Sequence, residues 1–440
     1  MNSGNLKSDA WMDFEDWLAF VASVLILLIH GNVWFALATG YGATSGESFN
    51  SIFFIAYALS LAILVSRPAP VIAGLMRSPP LLILMGLCIA SIHWSIDPEV
   101  SARRVPALIL TSLAGLALAV RWPWARFVDV LATSFAVMGV LSFVMGLAFP
   151  DLGRMTEVFP GAWRGVWLEK NSLGGMMAFG ALIQLAAAAI NSVRRIVWIT
   201  AATLSVALVL LSTSKTSLLI LLMGLSAQGF LLLVKGGPVR AIVGSWLAVV
   251  AVATAAGLLV FENALFFDIL GKNPTLTGRT TIWSGILRQM PGQEMTGFGF
   301  AAFWGSTDPV GPAQRVASEA YFMPAHAHNG WLEVMLAIGY PGVVVFGLWL
   351  LQMWFSTLWA LYASRVGWFL LPFMIAYTTS MLTESVTLNA HNPWWVLFVA
   401  VAVRTVIGDP DPDPDRTRTR TRPIVSGVRR SDSRLHRSYR

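Results

Sequence analysis

The sequence predicts an all-α membrane protein that crosses the bilayer about twelve times. Of its 440 residues, 56% are hydrophobic and only 12% are charged, whereas soluble globular domains are about 25% charged. The hydrophobic residues occur in long runs separated by polar loops, and a membrane-spanning helix needs about 20 such residues. A third observation, the placement of the basic residues, gives the expected orientation.

Twelve apolar runs are predicted to span the membrane. The first is too long for the hydrophobic core of a cleavable signal peptide, and no small-residue cleavage site follows it, so we expect it to remain as a helix. The single cysteine, Cys88, excludes an intramolecular disulfide. The predicted spans are residues 16–37, 50–66, 79–95, 104–121, 126–149, 172–190, 195–212, 216–234, 239–261, 329–352, 366–384 and 391–407.

Basic residues occur in alternate short loops between these spans. The positive-inside rule assigns such loops to the cytoplasm. Because the alternation is not interrupted, it supports twelve spans with both termini in the cytoplasm. The residues concerned are Arg67, Arg77, Arg121, Arg126, Arg194, Arg195, Lys235, Arg240 and Arg365, together with an arginine-rich C-terminal tail.

The spans divide the chain into five parts. A cytoplasmic N-terminus (1–15) precedes nine spans (16–262), a large periplasmic loop (263–328), three further spans (329–407) and a basic tail (408–440). From Arg404 onward, ten arginines and five aspartates supply +5 of the net charge of +7. The Asp-Pro and Arg-Thr repeats of the tail cannot bury enough apolar surface to fold. We therefore expect a disordered tail that contacts anionic lipid and does not bind nucleic acid.

The remaining loops carry basic residues against the orientation rule. Positive charge on the translocated side needs a physical reason, and an anionic ligand held at that face supplies one. The residues concerned are Arg103, Arg104, Arg154, Arg164, Lys170, Lys215, Lys272, Arg279, Arg288 and Arg315.

The large loop before the tenth predicted span is the longest polar segment of the chain. Loops of more than about 12–15 residues are usually functional or disordered. Within this one, Trp283, Ile286, Leu287 and Met290 have the spacing of one helix face. We therefore predict a short amphipathic helix inside an ordered loop.

Two basic segments are candidates for holding a diphosphate. Arg164 precedes the sixth span, and Lys170 and Asn171 begin it, where free N–H groups and the helix dipole favour an anion. Interfacial snorkelling and helix capping explain the same residues equally well. Lys215 lies in the polar turn 212–217, where it either snorkels or faces a polar cavity.

The large loop itself supplies further candidates. The planar guanidinium of Arg279 suits phosphate, although a surface salt bridge is the alternative. His326 and His328 precede Asn329 at the start of the tenth span, where the helix N-terminus and nearby cations disfavour a charged imidazole. A neutral histidine suits a general base that Asn329 could orient. Plain interfacial histidines are the alternative.

No metal site or cofactor is predicted. The two histidines of the loop have no third ligand at zinc spacing, and no Asp-x-Asp motif suits a divalent cation. Glu384 and the pair His391-Asn392 bracket the last predicted turn on the same side of the membrane. Their positions do not decide between pairing with the arginines and plain solvation.

Four short motifs follow one another between residues 90 and 400. They are Gly165 to Gly174 with Lys170-Asn171-Ser172-Leu173-Gly174; Ser214-Lys215-Thr216-Ser217; Gly278-Arg279-x-x-x-Trp283 with Gly297-x-Gly299; and His326-x-His328-Asn329 with Gly339-x-x-Gly342. In these motifs, in their order and in the large loop, the chain resembles the O-antigen ligase and Wzy-type O-antigen polymerase superfamily, and within it the exopolysaccharide polymerase branch. Lys215 stands where ligases and polymerases often have an arginine.

The resemblance implies a metal-independent glycosyltransferase with a GT-C-like fold. Such an enzyme acts on undecaprenyl-diphosphate-linked sugars outside the inner membrane, next to a flippase and a chain-length regulator of the same export pathway. It implies His328 as the first candidate for the base and His326 as the second, with inversion at the anomeric carbon. The implied cations for the diphosphate are Arg103, Arg164, Lys170, Lys215 and Arg279.

Two alternatives stay open at this point. A ligase would move a finished glycan to a lipid A core or to a protein, by the same chemistry. A transporter or flippase would show inverted repeats, broken helices and ionisable groups near the middle of the membrane. The middles of the predicted spans lack ionisable groups, which favours a transferase.

Overall fold

A computed structural model describes residues 13–34, 51–156, 159–261 and 279–407, and these residues form helices and loops with no β-strand. The predicted loop 40–49, Lys272, both predicted cytoplasmic termini up to residue 12 and from residue 408, and the first part of the large loop lie outside the described residues. The helices are α1 (Phe14–His30), α2 (Phe53–Ser66), α3 (Pro68–Met76), α4 (Pro79–Ala90), α5 (Pro98–Arg121), α6 (Trp124–Ala148), α7 (Pro150–Gly153), α8 (Lys170–Ile190), α9 (Arg195–Leu211), α10 (Lys215–Val234), α11 (Pro238–Phe261), α12 (Arg279–Gln289), α13 (Ala302–Gly305), α14 (Pro312–Ala320), α15 (Gly330–Ala363), α16 (Gly367–Met381) and α17 (Pro393–Ile407).

Several of these helices begin at side chains that cap them. The carboxylate of Asp97 accepts the backbone N–H of Val100 at 3.1 Å, and Pro98 occupies the first turn of α5. The side chain of Asn329 accepts the N–H groups of Trp331 and Leu332 at 3.0 and 3.2 Å. Such caps satisfy donors that the helix itself leaves without an acceptor, so they set where α5 and α15 start.

Five helices are long and apolar enough to cross a membrane: α5, α6, α8, α10 and α15. A sixth span results if α2 and α3 count as one, although they meet at an angle of 99°. Shorter apolar helices of 10–17 residues accompany them at 79–93, 195–211, 238–250 and 393–407. The all-helical, membrane-spanning class predicted from composition is confirmed at this level.

Basic residues join helix ends at one end of the bundle, which we call the basic end. Arg77 donates to the carbonyl of Ile407 at 3.1 Å, and Lys235 donates to that of Ser364 at 2.9 Å. Arg121 pairs with Asp16 near the start of α1. The start of α1 and the end of α17 therefore lie at the same end of the bundle.

The loops at the opposite end, which we call the cavity end, contact one another. They comprise residues 91–97, 149–169, 212–214, 290–329 and 382–392. The indole of Trp94 donates to the carbonyl of Thr296 at 2.8 Å, and Phe300 N–H donates to Ser91 Oγ at 3.0 Å. The large loop is thus anchored on the segment that precedes α5, and the alternation of basic loops predicts that both lie on the same side of the membrane.

Helix α15 is broken where a single span was predicted. Ile338 and Gly339 leave the helical conformation, and Gly339 has φ 64° and ψ −165°. Backbone from the large loop inserts here: Tyr340 N–H donates to Glu294 O at 2.8 Å, and a Cβ on Gly339 would lie 2.6 Å from Met295. The predicted span 329–352 therefore falls on α15, one of the membrane-length helices, but the helix is interrupted at 338–339 where a continuous span was predicted.

The fourth predicted span also begins at a different residue in the structure. The predicted span began at residue 104, but the Asp97 cap starts the helix at Pro98. Arg103 and Arg104 therefore lie within the helix and not in the preceding loop.

In the segment after α2, the predicted loop 67–78 contains helix α3, which packs beneath α17 through Gly74.

The amphipathic helix predicted in the large loop is α12, and its buried face differs by one residue. Ile286 and Met290 are buried as predicted, with Trp283 packed beside them. Leu287 is 55% exposed, and Ile282 takes its place in the cluster at 2% exposure. Positions 282, 286 and 290 share a face because they are spaced four residues apart.

Candidate active site

An ionic cluster of three side chains lies at the cavity end. Arg279, the first residue of α12, donates from Nη2 to Oε1 of Glu384 at 2.9 Å. The second carboxylate oxygen, Oε2, lies 3.4 Å from Nδ1 of His328. The cluster joins the start of α12, the loop before α15 and the loop after α16, and the carboxylate is shared between a guanidinium and an imidazole.

The loop that carries the two histidines is held on both sides. Ala327, which is fully buried, donates its N–H to Glu333 Oε1 at 2.6 Å, and its carbonyl accepts the indole N–H of Trp283 at 2.8 Å. His328 adopts a left-handed conformation with φ 50°. These contacts turn the His326 and His328 rings toward each other, with centroids 4.0 Å apart.

The hydrogen bonds give the two histidines different tautomers. The backbone N–H of His328 donates to Nδ1 of His326 at 3.3 Å, so a neutral His326 carries its proton on Nε2. An ionised Glu384 can only accept, so His328 donates to it from Nδ1. The Nε2 atom of a neutral His328 then carries a lone pair, as a general base requires.

Burial and neighbouring charges set the ionisation of this cluster. Burial, followed by the charge of His328, lowers the pKa of His326 to about 4. Burial raises the pKa of Glu384, but the His328 hydrogen bond and the charge of Arg279 outweigh it, so this pKa lies below its ordinary value. At neutral pH, His326 is therefore uncharged and Glu384 is ionised.

A cavity of about 260 Å³ adjoins the cluster. Its lining includes His326, His328 and Glu384 on one side and Asn171 and Ser214 on the other. The second pair lies at the N-terminal ends of α8 and α10, where free backbone N–H groups favour an anion. The cavity thus lies between a histidine–carboxylate pair and two helix N-termini.

The two helix N-termini approach each other closely because α8 has a glycine in its first turns. A Cβ on Gly174 would lie 2.6 Å from Ser217 Oγ and 2.7 Å from Ser212 Oγ, so no larger residue fits. Ser214 Oγ donates to Asn171 Oδ1 at 2.9 Å and connects the two ends. The motifs 165–174 and 214–217 therefore form one structural unit.

The structure places the predicted cations at different distances from this cavity. Lys170 lies at the start of α8, with Nζ 3.4 Å from Thr213 Oγ1 and 3.7 Å from the ring centre of Phe159. Lys215 is the first residue of α10 and is exposed. Both lie beside residues of the cavity wall, although neither is itself part of the lining.

Arg164 forms hydrogen bonds with the turn after α6. Arg164 donates from Nε to Leu152 O at 2.9 Å and from Nη2 to Asp151 O at 3.3 Å, so it holds the turn after α6. Neither Arg164 nor Arg103 belongs to the cavity lining. Arg279 does not belong to the lining either, and it reaches the cavity through Glu384. The role of Arg164 at the diphosphate stays a prediction.

Glu384 is the site residue that the sequence did not identify. Its position in the last predicted turn was compatible with pairing or with solvation, and the structure shows pairing with both Arg279 and His328. In the part of the chain that the structure describes, no group of three or more His, Cys, Asp or Glu side chains has a metal-binding arrangement.

Comparison with known proteins does not extend this description. No family model matches the chain, and no curated protein matches it. The chemistry of the site therefore rests on its geometry and on the resemblance of its motifs.

Proposed function

We propose that this protein is a polysaccharide polymerase that joins undecaprenyl-diphosphate-linked oligosaccharide repeat units on the periplasmic side of the bacterial inner membrane. The observation that carries the proposal is the cavity between the His328–Glu384 pair and the N-termini of α8 and α10. A base and an anion-favouring surface facing one space are what glycosyl transfer from a lipid diphosphate requires.

The proposed reaction is a single displacement at the anomeric carbon. His328 Nε2 takes the proton of an acceptor hydroxyl, whose oxygen forms a new bond to that carbon. The bond from the carbon to the diphosphate oxygen breaks, and the lipid diphosphate departs with the electron pair, so the configuration inverts. Glu384 holds Nδ1 and stabilises the imidazolium that forms, and general-base catalysis of this kind contributes about 10²–10⁴-fold.

The departing diphosphate needs positive charge that is already in place. The N-termini of α8 and α10 supply part of it, and Lys170, Lys215 and Arg279 supply the rest in this proposal. Arg164 contributes indirectly, by holding the turn at 150–153 through its carbonyls. Preorganised charges cost little reorganisation when the leaving group departs.

The proposed topology has twelve spans with both termini in the cytoplasm. Support comes from the basic end, where the start of α1 pairs with the end of α5 and the end of α17 accepts from Arg77. An even number of crossings returns the chain to the side where it began. Reporter fusions at residue 300 and at the C-terminus are expected to indicate opposite compartments, and the same compartment for both would contradict the topology.

The decisive test is transfer from purified lipid-linked repeat units by the reconstituted protein. His328→Ala is expected to reduce turnover by about 10²–10⁴-fold while donor binding persists, because the base acts on the acceptor. His93→Ala is the matched control, since His93 is an exposed histidine at the same end of the bundle. Near-normal transfer by His328→Ala would remove the histidine from the mechanism.

The same assay with EDTA tests the metal-independent mechanism. We expect no change in rate on chelation. Loss of activity that a divalent cation restores would require a metal-assisted reaction. A deletion strain separates polymerase from ligase: single repeat units on the lipid indicate a polymerase, whereas long chains on the lipid indicate a ligase.

A further inference from the structure

A second cavity, of about 280 Å³, lies on the other side of His326. Three residues, His326, Ser385 and Asn389, line both this cavity and the one beside His328. The two cavities therefore share a wall, and the side chain of His326 is part of it. The proposed reaction has two substrates, but the first cavity accounts only for the diphosphate and the reacting carbon.

The wall of the second cavity is built from well-packed elements. Gly299 in the large loop has φ 94°, and a Cβ there would lie 2.3 Å from Ser95 Oγ, so the loop is pressed against the segment before α5. Ser101 Oγ on α5 donates to the carbonyl of Phe300 at 2.9 Å. These contacts fix the loop that carries Trp304, so the cavity has a defined shape.

Two polar groups of this cavity have polar neighbours but no hydrogen bond of normal geometry. The indole N–H of Trp304 and the hydroxyl of Thr387 are buried and form no hydrogen bond of normal geometry. Thr387 is only 1% exposed. The indole N–H of Trp304 interacts with the carboxyl group of Glu333, and the hydroxyl of Thr387 with that of Tyr377. Because neither pair has normal hydrogen-bond geometry, both groups keep hydrogen-bonding capacity that a polar ligand can use.

The remaining lining groups define the chemistry of that ligand. Arg104 brings a positive charge, Glu333 a carboxyl group, Asn389 an amide and Trp304 an aromatic ring. Mixed donors and acceptors beside an indole match the hydroxyl groups and C–H faces of a sugar. Pockets that bind small polar molecules combine apolar walls with a few such groups.

We propose that the second cavity binds the terminal sugar of the acceptor repeat unit and directs its hydroxyl past His326 to His328. This inference rests on the proposed function. Because His326 is neutral and carries its proton on Nε2, it can donate a hydrogen bond to the incoming sugar without competing for the hydroxyl proton. The sugar attached to the donor diphosphate has the same chemistry, so the test must separate the two sources.

The test uses the full-length protein reconstituted in lipid nanodiscs. The acceptor probe is the oligosaccharide released by mild acid from the lipid-linked units of the deletion strain, labelled at its reducing end. The donor is the lipid-linked unit itself. Rates are measured while one substrate is varied at a fixed concentration of the other, and donor hydrolysis is measured with no acceptor present.

Trp304→Ala is expected to raise the KM for the acceptor probe about tenfold, as loss of a central aromatic contact does at binding sites. Thr387→Val and Trp304→Phe are expected to raise the KM for the acceptor probe severalfold, because each removes only the hydrogen-bonding group. The KM for the donor and the rate of donor hydrolysis should stay within twofold of wild type. Trp359→Ala is the matched control, because Trp359 is 76% exposed on α15.

Two other outcomes of the transfer assay overturn the assignment. A higher KM for the donor with an unchanged KM for the acceptor would place the donor sugar in the cavity. Unchanged values for both substrates would remove the cavity from substrate binding. If the wild-type protein shows no transfer, the proposed function fails, and equilibrium dialysis with the labelled oligosaccharide decides the cavity separately: binding that Trp304→Ala abolishes supports a sugar site, and no binding overturns it.

Discussion

The two ends of the helical bundle use the same residue types in different ways. At the basic end, Arg121 is 5% exposed and pairs with Asp16, and Arg77 donates to carbonyls at the end of α17. At the cavity end, Arg279 and His328 share one carboxylate at the edge of a cavity. Charges that join helix ends stabilise the bundle, whereas charges that border a cavity can act on a ligand.

Variants at the two ends should therefore separate stability from turnover. A change at the cavity end is expected to reduce the rate per folded molecule. A change at the basic end is expected to reduce the amount of folded protein at a given temperature, with the rate per folded molecule preserved. The predictions below run from the largest expected effect to the smallest.

Arg279→Ala is expected to lower the transfer rate about 10²–10³-fold, because it removes a charge that stabilises the departing diphosphate and the partner of Glu384. Arg279→Lys should recover little, since a lysine cannot reproduce the planar two-donor geometry. The rate of lipid diphosphate release by the reconstituted protein measures both. Arg288→Ala on the same helix is the control, because Arg288 pairs with Glu319 at the surface; equal losses in the two alanine variants would contradict a specific role for Arg279.

Glu384→Gln is expected to lower turnover about 10–100-fold, as loss of an orienting partner commonly does. The amide keeps the shape of the side chain but no longer stabilises an imidazolium at His328. The measurement is kcat together with the pH profile of the reaction, and Glu319→Gln is the matched control. An unchanged pH profile in Glu384→Gln would show that the carboxylate does not set the state of the base.

Arg121→Gln is expected to destabilise the protein by about 1–3 kcal/mol, because Asp16 and the end of α5 lose a charged partner. The measurement is the unfolding midpoint in detergent, next to the transfer rate per folded molecule. A lower midpoint with an unchanged rate is the expected result. If the rate per folded molecule falls as far as in the Arg279 variants, the proposal that the basic end affects only stability is wrong.

The pH dependence of stability should show the buried state of His326. Its pKa is about 4 in the folded protein and about 6.5 in an unfolded chain. The unfolded state therefore binds more protons between these values, and stability is complete above about pH 6.5 and falls as the pH drops toward 4. The measurement is the difference in unfolding midpoint between wild type and His326→Asn, which is expected to shift against wild type as the pH drops from 6.5 to 4. A difference that is constant from pH 4 to 7 would contradict the buried, neutral histidine.

The sequence alone determined the features that depend on local composition and spacing. Apolar runs predict helices and membrane insertion, because a buried backbone in lipid must satisfy its own hydrogen bonds. The alternation of basic loops predicted which loops share an end, and the spacing of Ile286 and Met290 predicted the helix within the large loop. The motifs that contain Asn171 and His328 lie in segments that line one cavity.

The tertiary structure decided which of these segments meet. Glu384 is 105 residues from Arg279 and 56 from His328, so no local pattern could show that it joins them. The break at Gly339 depends on the backbone of Met295, which approaches from another part of the chain. Arg164 looks like a ligand residue in its motif, but the carbonyls after α6 lie within its reach. Local sequence fixes what a residue can do, and packing fixes which partner it finds.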